Sequence, residues 1–190
     1  MIRLSQKIIF FLLKNGVKRA EYLKKKNILK YIGDNCLYQP YYIPMDPKLL
    51  KINNNVYIAA NVRFITHDAS RNMLKNKYKK EYSMDLGCIE VMDNVFIGLG
   101  SIILPNVKTN KNCIIAAGSV VTKSVPENSV VAGNPARIIG TFDEFDQKKL
   151  KMTKENGILS YDELVSKCWE NFEKNKKKEM IAKKEINHEK

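Results

Sequence analysis

His67 is the residue of this sequence whose side chain is best suited to chemistry. An imidazole titrates near neutral pH and can take a proton from a hydroxyl or an amine that is about to react. The chain has two histidines, and the other one, His188, lies in a lysine-rich C-terminal segment. We therefore predict that His67 is a general base, with a structural role as the alternative.

Carboxylates close to His67 in the sequence are candidates for orienting its ring. A hydrogen bond to one ring nitrogen fixes the tautomer and leaves the other nitrogen free to accept a proton. The candidates are Asp68, Asp85 and Glu90, and the sequence does not rank them.

The cysteines offer a different kind of nucleophile. Cys36, Cys88, Cys113 and Cys168 are scattered singly, with no C-x-x-C pair and no zinc-site spacing. Cys88 lies near the end of the loop predicted after His67 and could carry an acyl group, but no second histidine is available to activate it. We expect free thiols in a reducing cytoplasm.

A six-residue period organises the chain on the C-terminal side of His67. Cutting the sequence from Asp85 gives the blocks DLGCIE, VMDNVF, IGLGSI, ILPNVK, TNKNCI, IAAGSV, VTKSVP, ENSVVA and GNPARI. The fifth position is aliphatic or small in every block except the last, and the first position is often aliphatic. The same frame fits INNNVY and IAANVR, which begin at Ile52 and Ile58.

Neither a helix nor an ordinary strand explains this period, because their faces recur about every 3.6 and every 2 residues. A short strand and a corner that repeat together do explain it, and three such blocks make one turn of a three-sided column. Successive turns would stack at the usual strand separation of about 4.8 Å. Asn and Gly between the aliphatic positions suit corners that need a positive φ. An ordinary β-sandwich is the alternative.

The period breaks once, between Phe64 and Asp85. Asp68 would fall at an inward position, where an unpaired carboxylate is costly. We therefore expect the chain to leave the column near His67 and to form an external loop over residues 68–84. The stretch from Ser70 to Met84 would favour an anionic ligand, or would simply be solvated, because it holds one acid, Glu81, and five cations, namely Arg71, Lys75, Lys77, Lys79 and Lys80.

The blocks resemble those of the hexapeptide-repeat acyltransferases, and the run IAAGSVVTKSVPENSVVAGNPARII is very similar to their C-terminal coils. The resemblance covers about residues 30–140. It is closest to maltose, galactoside and xenobiotic acetyltransferases and to O-acetyltransferases of surface-polysaccharide pathways. It implies an all-β, left-handed parallel β-helix, a homotrimer, and active sites between neighbouring subunits.

The same resemblance implies the residues of the site. The pair Thr66-His67 matches the catalytic histidine at the start of the external loop. Acetyl-CoA would be the donor, with its pantetheine arm in a groove between two columns and its phosphates on cationic side chains. The contacts implied for acetyl-CoA are Leu99, Ala117, Thr122, Lys123 and Arg137.

We therefore predict an acetyl-CoA-dependent O-acetyltransferase that acts by direct transfer on a hydroxyl of a sugar or a surface polysaccharide. The alternatives are N-acetylation of an amino sugar and a non-catalytic β-helix scaffold at the membrane. No metal is expected, because the zinc enzyme of this fold, the γ-type carbonic anhydrase, needs three histidine ligands and the chain has two histidines.

The N-terminus carries most of the excess positive charge. Residues 1–30 hold nine Lys and Arg and one acid, whereas residues 31–145 have a net charge of only +2, which does not favour a nucleic-acid partner. The apolar run over residues 8–13 is far shorter than the about 20 residues that span a bilayer. We predict one basic amphipathic helical segment over residues 1–30.

Two positions are open for this segment. It could pack on the domain or on a neighbouring subunit. It could also lie on a membrane surface, and the chain would then be a cytoplasmic protein with peripheral contact at the inner face of the membrane. The side chains expected to face anionic lipid are Lys7, Lys14, Lys18 and Arg19.

Residues 141–190 are predicted to form a helical extension. Ser160 and Glu163 form a capping box, S-x-x-E, at its start. An apolar stripe at helical spacing follows and is expected to pack on the β-helix or on a neighbouring subunit; it comprises Tyr161, Leu164, Val165, Cys168, Trp169 and Phe172. From Lys174 onward the composition predicts a frayed tail.

Overall fold

The computed structural model describes the backbone of residues 2–188 and the side chains of residues 2–155 and 157–176. Within this part, short strands alternate with tight corners. In chain order the strands are β1 (Tyr31–Ile32), β2 (Leu37–Tyr38), β3 (Leu50–Ile52), β4 (Val56–Ile58), β5 (Arg63–Phe64), β6 (Ile89–Val91), β7 (Val95–Ile97), β8 (Ile102–Ile103), β9 (Lys108–Thr109), β10 (Cys113–Ile115), β11 (Val120–Val121), β12 (Ser129–Ala132) and β13 (Arg137–Thr141). The helices are α1 (Leu4–Leu12), α2 (Gly16–Lys25), α3 (Ser70–Tyr78), α4 (Phe142–Asn156) and α5 (Tyr161–His188).

The strands form three sheets, in the orders β1-β3-β6-β9, β13-β12-β10-β7-β4-β2 and β11-β8-β5. Apart from the pair β12–β13, neighbouring strands within these sheets are parallel. Val95 pairs with Cys113, 18 positions further along the chain. The chain therefore visits the three sheets in turn and advances by one strand per circuit, which makes a three-sided parallel coil.

The inward positions of the six-residue frame form the core of this coil. Ile89, Val95, Ile97, Cys113 and Ile115 are all buried. Two inward positions hold serine instead, and their hydroxyls donate to backbone carbonyl groups, as Ser119 does to Ala116 O at 2.6 Å. These hydrogen bonds let a small polar side chain fill the interior without an unpaired donor.

Helices α1 and α2 pack on the first turn of the coil. They lie within the helical segment predicted for residues 1–30. The second helix begins after Asn15, whose side chain accepts a hydrogen bond from Val17 N at 2.8 Å. Phe10 of α1 is buried, with its ring centre 5.9 Å from that of Tyr38 and 6.2 Å from that of Tyr22. The two helices thus cover the N-terminal end of the core.

Arg19, one of the four side chains expected to face lipid if the segment lay on a membrane, is not available for that contact. Its side chain is buried, and its Nε donates to Tyr38 O at 3.1 Å. The guanidinium carbon also lies 4.0 Å from the centre of the Tyr41 ring. These contacts replace the water that a buried guanidinium would otherwise need. Arg19 therefore links α2 to β2.

The last six-residue block, GNPARI, does not continue the coil. After β12 the chain turns at Gly133, whose φ of 98° is readily adopted only by glycine. β13 then runs antiparallel to β12, with Ala132 opposite Arg137. The last strand therefore covers the edge of the six-stranded sheet instead of starting another turn.

An insertion leaves the coil directly after His67. His67 and Leu86 form an antiparallel bridge, and Gly87 N donates to Thr66 O at 2.8 Å, so the two ends of the insertion lie side by side. Asn94 is hydrogen-bonded to Asn112, which lies one turn of the coil and 18 residues further along the chain. Asn55 and Asn94 are also hydrogen-bonded, but they are 39 residues apart. The turn that contains the insertion is therefore 21 residues longer than a regular turn. The insertion contains α3 and is exposed.

The chain divides into two units, Met1–Phe145 and Asp146–Lys190. In the second unit, Ser160 N donates to Glu163 Oε2 at 2.8 Å, so the predicted capping box is present at the start of α5. The backbone of this helix is described as far as His188, and the fraying expected from Lys174 onward stays a prediction; residues 189–190 lie outside the described part.

The apolar stripe of α5 is exposed, and its packing on the β-helix or on a neighbouring subunit stays a prediction. Trp169 and Phe172 contact each other edge to face, with ring centres 5.8 Å apart. Across residues 2–188, no helix combines the length and the apolar composition that crossing a membrane requires.

Candidate active site

His67 and Asp46 form a close pair at the point where the insertion leaves the coil. Nδ1 of His67 lies 2.6 Å from Oδ2 of Asp46, and the Thr66 hydroxyl donates to the same oxygen at 2.9 Å. The side chains of His67 and Asp46 are 24% and 36% exposed. Because a carboxylate only accepts, Nδ1 carries the proton and Nε2 keeps its lone pair. The imidazole is thus arranged to accept a proton at Nε2.

The segment between β2 and β3 brings Asp46 to this position. The Tyr42 hydroxyl donates to Val62 O at 2.7 Å and accepts from Phe64 N at 3.2 Å, so the segment is fastened along β5, which leads to His67. The Asp46 carbonyl then accepts from Leu49 N at 2.9 Å at the start of a 3-10 helix, Pro47–Leu49. The two partners are therefore positioned by one set of contacts.

The carboxylates proposed from sequence do not contact the His67 ring. Asp68 instead accepts hydrogen bonds from the Ser70 hydroxyl and backbone N–H at 2.6 and 2.9 Å, and these bonds hold the pKa of Asp68 below its usual value. Glu90 lies 3.6 Å from Lys51 Nζ and 3.9 Å from Lys108 Nζ. Asp85 is exposed. Asp46 was missed because it lies outside the six-residue frame, where no local pattern marks it.

A cavity of about 730 Å³ adjoins Asp46. Leu86, at the end of the insertion, and Met45, next to Asp46 in the chain, both line this cavity. Three lysines, Lys7, Lys26 and Lys48, also line this cavity. Such a cavity can take a ligand with both polar and apolar parts.

The three-stranded sheet β11-β8-β5 separates two kinds of corner. We call residues 59–61, 98–100 and 116–118, which precede its strands, the leading corner, and residues 65–67, 104–106 and 122–124, which follow them, the trailing corner. Leu99 and Ala117 lie exposed on the leading corner and are stacked, since Gly118 N donates to Leu99 O at 2.8 Å. His67 lies on the trailing corner.

Thr122 and Lys123 also lie exposed on the trailing corner, on the same edge as His67. The pairings Phe64–Ile103 and Ile103–Val121 place Lys123 two strands from Thr66, or about 10 Å along the column. The leading corner lies across the sheet, about 15–20 Å away at about 3.3 Å per residue.

Arg137 belongs with the leading corner. It is exposed in β13, and the preceding Ala136 N donates to Val120 O, at the start of β11, at 2.8 Å. The five residues predicted to contact acetyl-CoA are therefore not one cluster within a chain. Leu99, Ala117 and Arg137 lie at the leading corner of the three-stranded sheet. Thr122 and Lys123 lie at its trailing corner, together with His67.

Most of the cationic side chains of the insertion form no ion pair with a carboxylate among the described residues. Lys75 Nζ lies 2.7 Å from Glu81, and Lys77 Nζ lies 4.9 Å from the centre of the Tyr78 ring. Within the described residues, no group of three or more His, Cys, Asp and Glu side chains could hold a metal ion.

The chain is similar in sequence to known acetyltransferases, although no family model matches it. CapG of Staphylococcus aureus is 37% identical over 130 residues, which cover 66% of this chain and 74% of CapG. An acetyltransferase-like protein of Saccharomyces cerevisiae is 40% identical over 116 residues, 61% of this chain and 58% of that protein. Galactoside O-acetyltransferase of Escherichia coli is 34% identical, over 62% of this chain and 56% of that enzyme. The chain thus matches little more than half the length of two of these relatives.

Solved structures share the fold. A maltose O-acetyltransferase from Clostridium difficile superposes with a TM-score of 0.56 at 27% identity, covering 72% of this chain and 82% of that one. A galactoside acetyltransferase in complex with coenzyme A superposes with a TM-score of 0.55 at 25% identity, covering 75% and 80%.

Proposed function

The chain belongs to the hexapeptide-repeat acyltransferase family, and we propose that it transfers an acetyl group from acetyl-CoA to a hydroxyl of a sugar or a surface polysaccharide. The hydrogen bond between His67 Nδ1 and Asp46 carries this proposal. It leaves Nε2 as a proton acceptor at the base of an insertion, in a fold whose relatives include O-acetyltransferases of galactosides and maltose.

The residues predicted to hold acetyl-CoA fit such a ligand. Lys123 and Arg137 are exposed, and neither has a carboxylate partner among the side chains that the structure describes. Both cations are therefore available for phosphate groups. Leu99 and Ala117 present corner backbone to solvent, which suits an extended pantetheine arm. Bound acetyl-CoA would supply an electrophilic thioester carbonyl and a thiolate leaving group.

In the proposed reaction, His67 Nε2 accepts the proton of the acceptor hydroxyl while that oxygen bonds to the thioester carbonyl carbon. Asp46 stabilises the imidazolium that forms, because its carboxylate already accepts from Nδ1–H. Backbone N–H groups would stabilise the negative charge on the carbonyl oxygen. His67 then returns the proton to the sulfur as the carbon–sulfur bond breaks.

The complete site is proposed to lie between subunits of a homotrimer of left-handed columns. Within one chain, Leu99 and Ala117 lie on the edge of the three-stranded sheet opposite His67. An interface that joins the leading corner of one chain to the trailing corner of the next would bring both groups together. The cavity beside Asp46 is then proposed as the acceptor site. A cytoplasmic location fits this donor and the four free cysteines.

The proposal is tested with isotopically labelled acetyl-CoA and a panel of acceptors that includes galactosides, maltose, polysaccharide fragments and amino sugars. Mass spectrometry should find the label on a hydroxyl of one acceptor class, with an equal amount of free coenzyme A. Label on an amine would identify an N-acetyltransferase instead. No transfer to any acceptor, together with no binding of acetyl-CoA, would favour a non-catalytic scaffold.

A further inference from the structure

Helix α1 presents two different faces. Phe10 is 1% exposed and packs on Tyr22 and Tyr38, so one face is fixed to the first turn of the coil. Leu4, Ile8, Phe11 and Leu12 are 73%, 52%, 61% and 67% exposed. Their spacing of four, three and one residues places them on one stripe along the helix. We call these four side chains the outer stripe.

Exposed positive charge lies close to the outer stripe along the chain. Lys7 lies on α1 one turn before Phe11, and Lys14 and Lys18 follow in the turn to α2 and in α2 itself. All three are exposed, and none has a carboxylate partner among the described side chains. Residues 1–30 carry nine Lys and Arg and one acid.

We propose that the outer stripe and these three lysines dock this protein on the surface of an anionic lipid bilayer. An apolar stripe flanked by lysines is the pattern by which helices lie in the interface of such a membrane, with the apolar side chains among the acyl chains and the ammonium groups at the phosphates. α1 would lie flat on the membrane, because Phe10 holds the helix against the coil.

Charge favours lipid over a second copy of this chain as the occupant. Residues 31–145 have twelve basic and ten acidic side chains, and residues 146–190 have twelve and nine, so each part is slightly positive. Another copy is therefore positively charged overall in both parts and would repel residues 1–30, whereas an anionic leaflet attracts them.

The position of α1 also relates docking to the candidate active site. Gln6 and Lys7 line the cavity that adjoins Asp46. The outer stripe and this cavity therefore share one helix, and a docked α1 holds the cavity close to the lipid headgroups.

The test is cosedimentation of the full chain with vesicles of phosphatidylcholine alone or mixed with phosphatidylglycerol. We expect binding to the anionic vesicles that falls steeply as salt is raised from about 0.1 M to about 1 M, where the Debye length shrinks from about 10 Å to about 3 Å. Absence of binding to anionic vesicles, or equal binding to both kinds, would overturn the proposal.

Paired variants locate the docking surface. Ile8→Glu with Phe11→Glu should weaken partition to anionic vesicles at least about tenfold. Leu150→Glu with Met152→Glu adds the same charge at exposed apolar positions of α4 and should leave binding unchanged. If both pairs weaken binding equally, the effect is net charge alone and the outer stripe is not the docking surface.

Two further measurements test whether misfolding of the glutamate variant, or a second copy of the chain on the outer stripe, explains the loss of binding. Lys7→Ala with Lys14→Ala removes only exposed charge and should weaken binding about fivefold per lysine; unchanged binding would contradict the proposal. Sedimentation velocity should give wild type and the Ile8→Glu, Phe11→Glu variant the same oligomeric state. Dissociation of the variant would mean that a second copy covers the outer stripe, and would overturn the proposal.

Discussion

Asp46 gives the neutral His67 ring a defined tautomer. One carboxylate oxygen receives both the imidazole Nδ1–H and the Thr66 hydroxyl, at 2.6 and 2.9 Å. Both partners are fixed because Tyr42 fastens the Asp46 segment to β5. Nε2 is thereby the basic nitrogen of the ring.

Asp46→Asn should lower kcat for acetyl transfer about a hundredfold. The asparagine amide can donate to Nδ1, which moves the ring proton to Nε2 and removes the proton acceptor. The KM for acetyl-CoA should change less than about twofold, because the ring does not hold the donor. Steady-state kinetics at saturating acceptor measure both constants.

Asp68→Asn is the matched control for this prediction. Asp68 is next to His67 in sequence, but it accepts its hydrogen bonds from Ser70 and not from the ring. Its substitution should leave kcat within about twofold of wild type. A larger loss in Asp68→Asn than in Asp46→Asn would show that the wrong carboxylate has been assigned.

His67 could be predicted from sequence and Asp46 could not. His67 stands where a regular pattern breaks, and an imidazole is the kind of side chain that transfers protons. Asp46 precedes the start of the frame at Ile52, and its approach to His67 depends on the contacts of Tyr42 with Val62 and Phe64. No spacing rule predicts a contact made by an irregular segment.

At the scale of elements, asparagines form a ladder along one corner of the coil. Asn55 Nδ2 donates to Asn94 Oδ1 at 2.9 Å, and Asn94 Nδ2 donates to Asn112 Oδ1 at 2.9 Å. All three have a positive φ, of 55°, 59° and 54°. Asparagine tolerates this conformation better than other residues with a side chain, and its amide both donates and accepts.

Asn94→Ala should lower the free energy of unfolding by about 2 kcal/mol, because it imposes a strained φ and removes two ladder hydrogen bonds. Asn94→Gly should cost only about 1 kcal/mol, since glycine relieves the backbone strain. Urea denaturation followed by circular dichroism measures the difference. Equal losses in the two variants would mean that backbone strain plays no part at this corner.

The coil could be predicted from the sequence because every turn needs the same inward-facing aliphatic side chains and the same compact corner residues. Its two ends were not. Asn15 divides the N-terminal segment into two helices, and Gly133 reverses the chain into an antiparallel strand. Terminal elements close the coil by contacts that occur once, so they leave no period in the sequence.

At the scale of the whole molecule, one chain holds two halves of the proposed site on opposite edges of a sheet. His67, Thr122 and Lys123 follow the strands of the three-stranded sheet, whereas Leu99 and Ala117 precede them. A ring of identical contacts, each joining one edge to the other, would complete one site per interface.

Mixing two inactive variants tests this arrangement. His67→Ala removes the base, and Ala117→Trp fills the leading corner, where Ala117 is exposed. Random co-assembly from unfolded chains should restore about a quarter of the interfaces, because each active interface needs one intact half from each variant. Activity no greater than that of the separate variants, with trimers present by light scattering, would contradict a shared site.

Transfer of labelled acetyl groups by purified wild type, His67→Ala and Cys88→Ser is the most direct test of the central claim. Cys88 is an exposed thiol near the base of the insertion, so its variant tests an acyl-enzyme route under the same conditions. We predict that His67→Ala lowers kcat at least about a hundredfold, while Cys88→Ser keeps the wild-type rate. A His67→Ala variant that turns over within about twofold of wild type, while correctly folded, would contradict base catalysis by this imidazole.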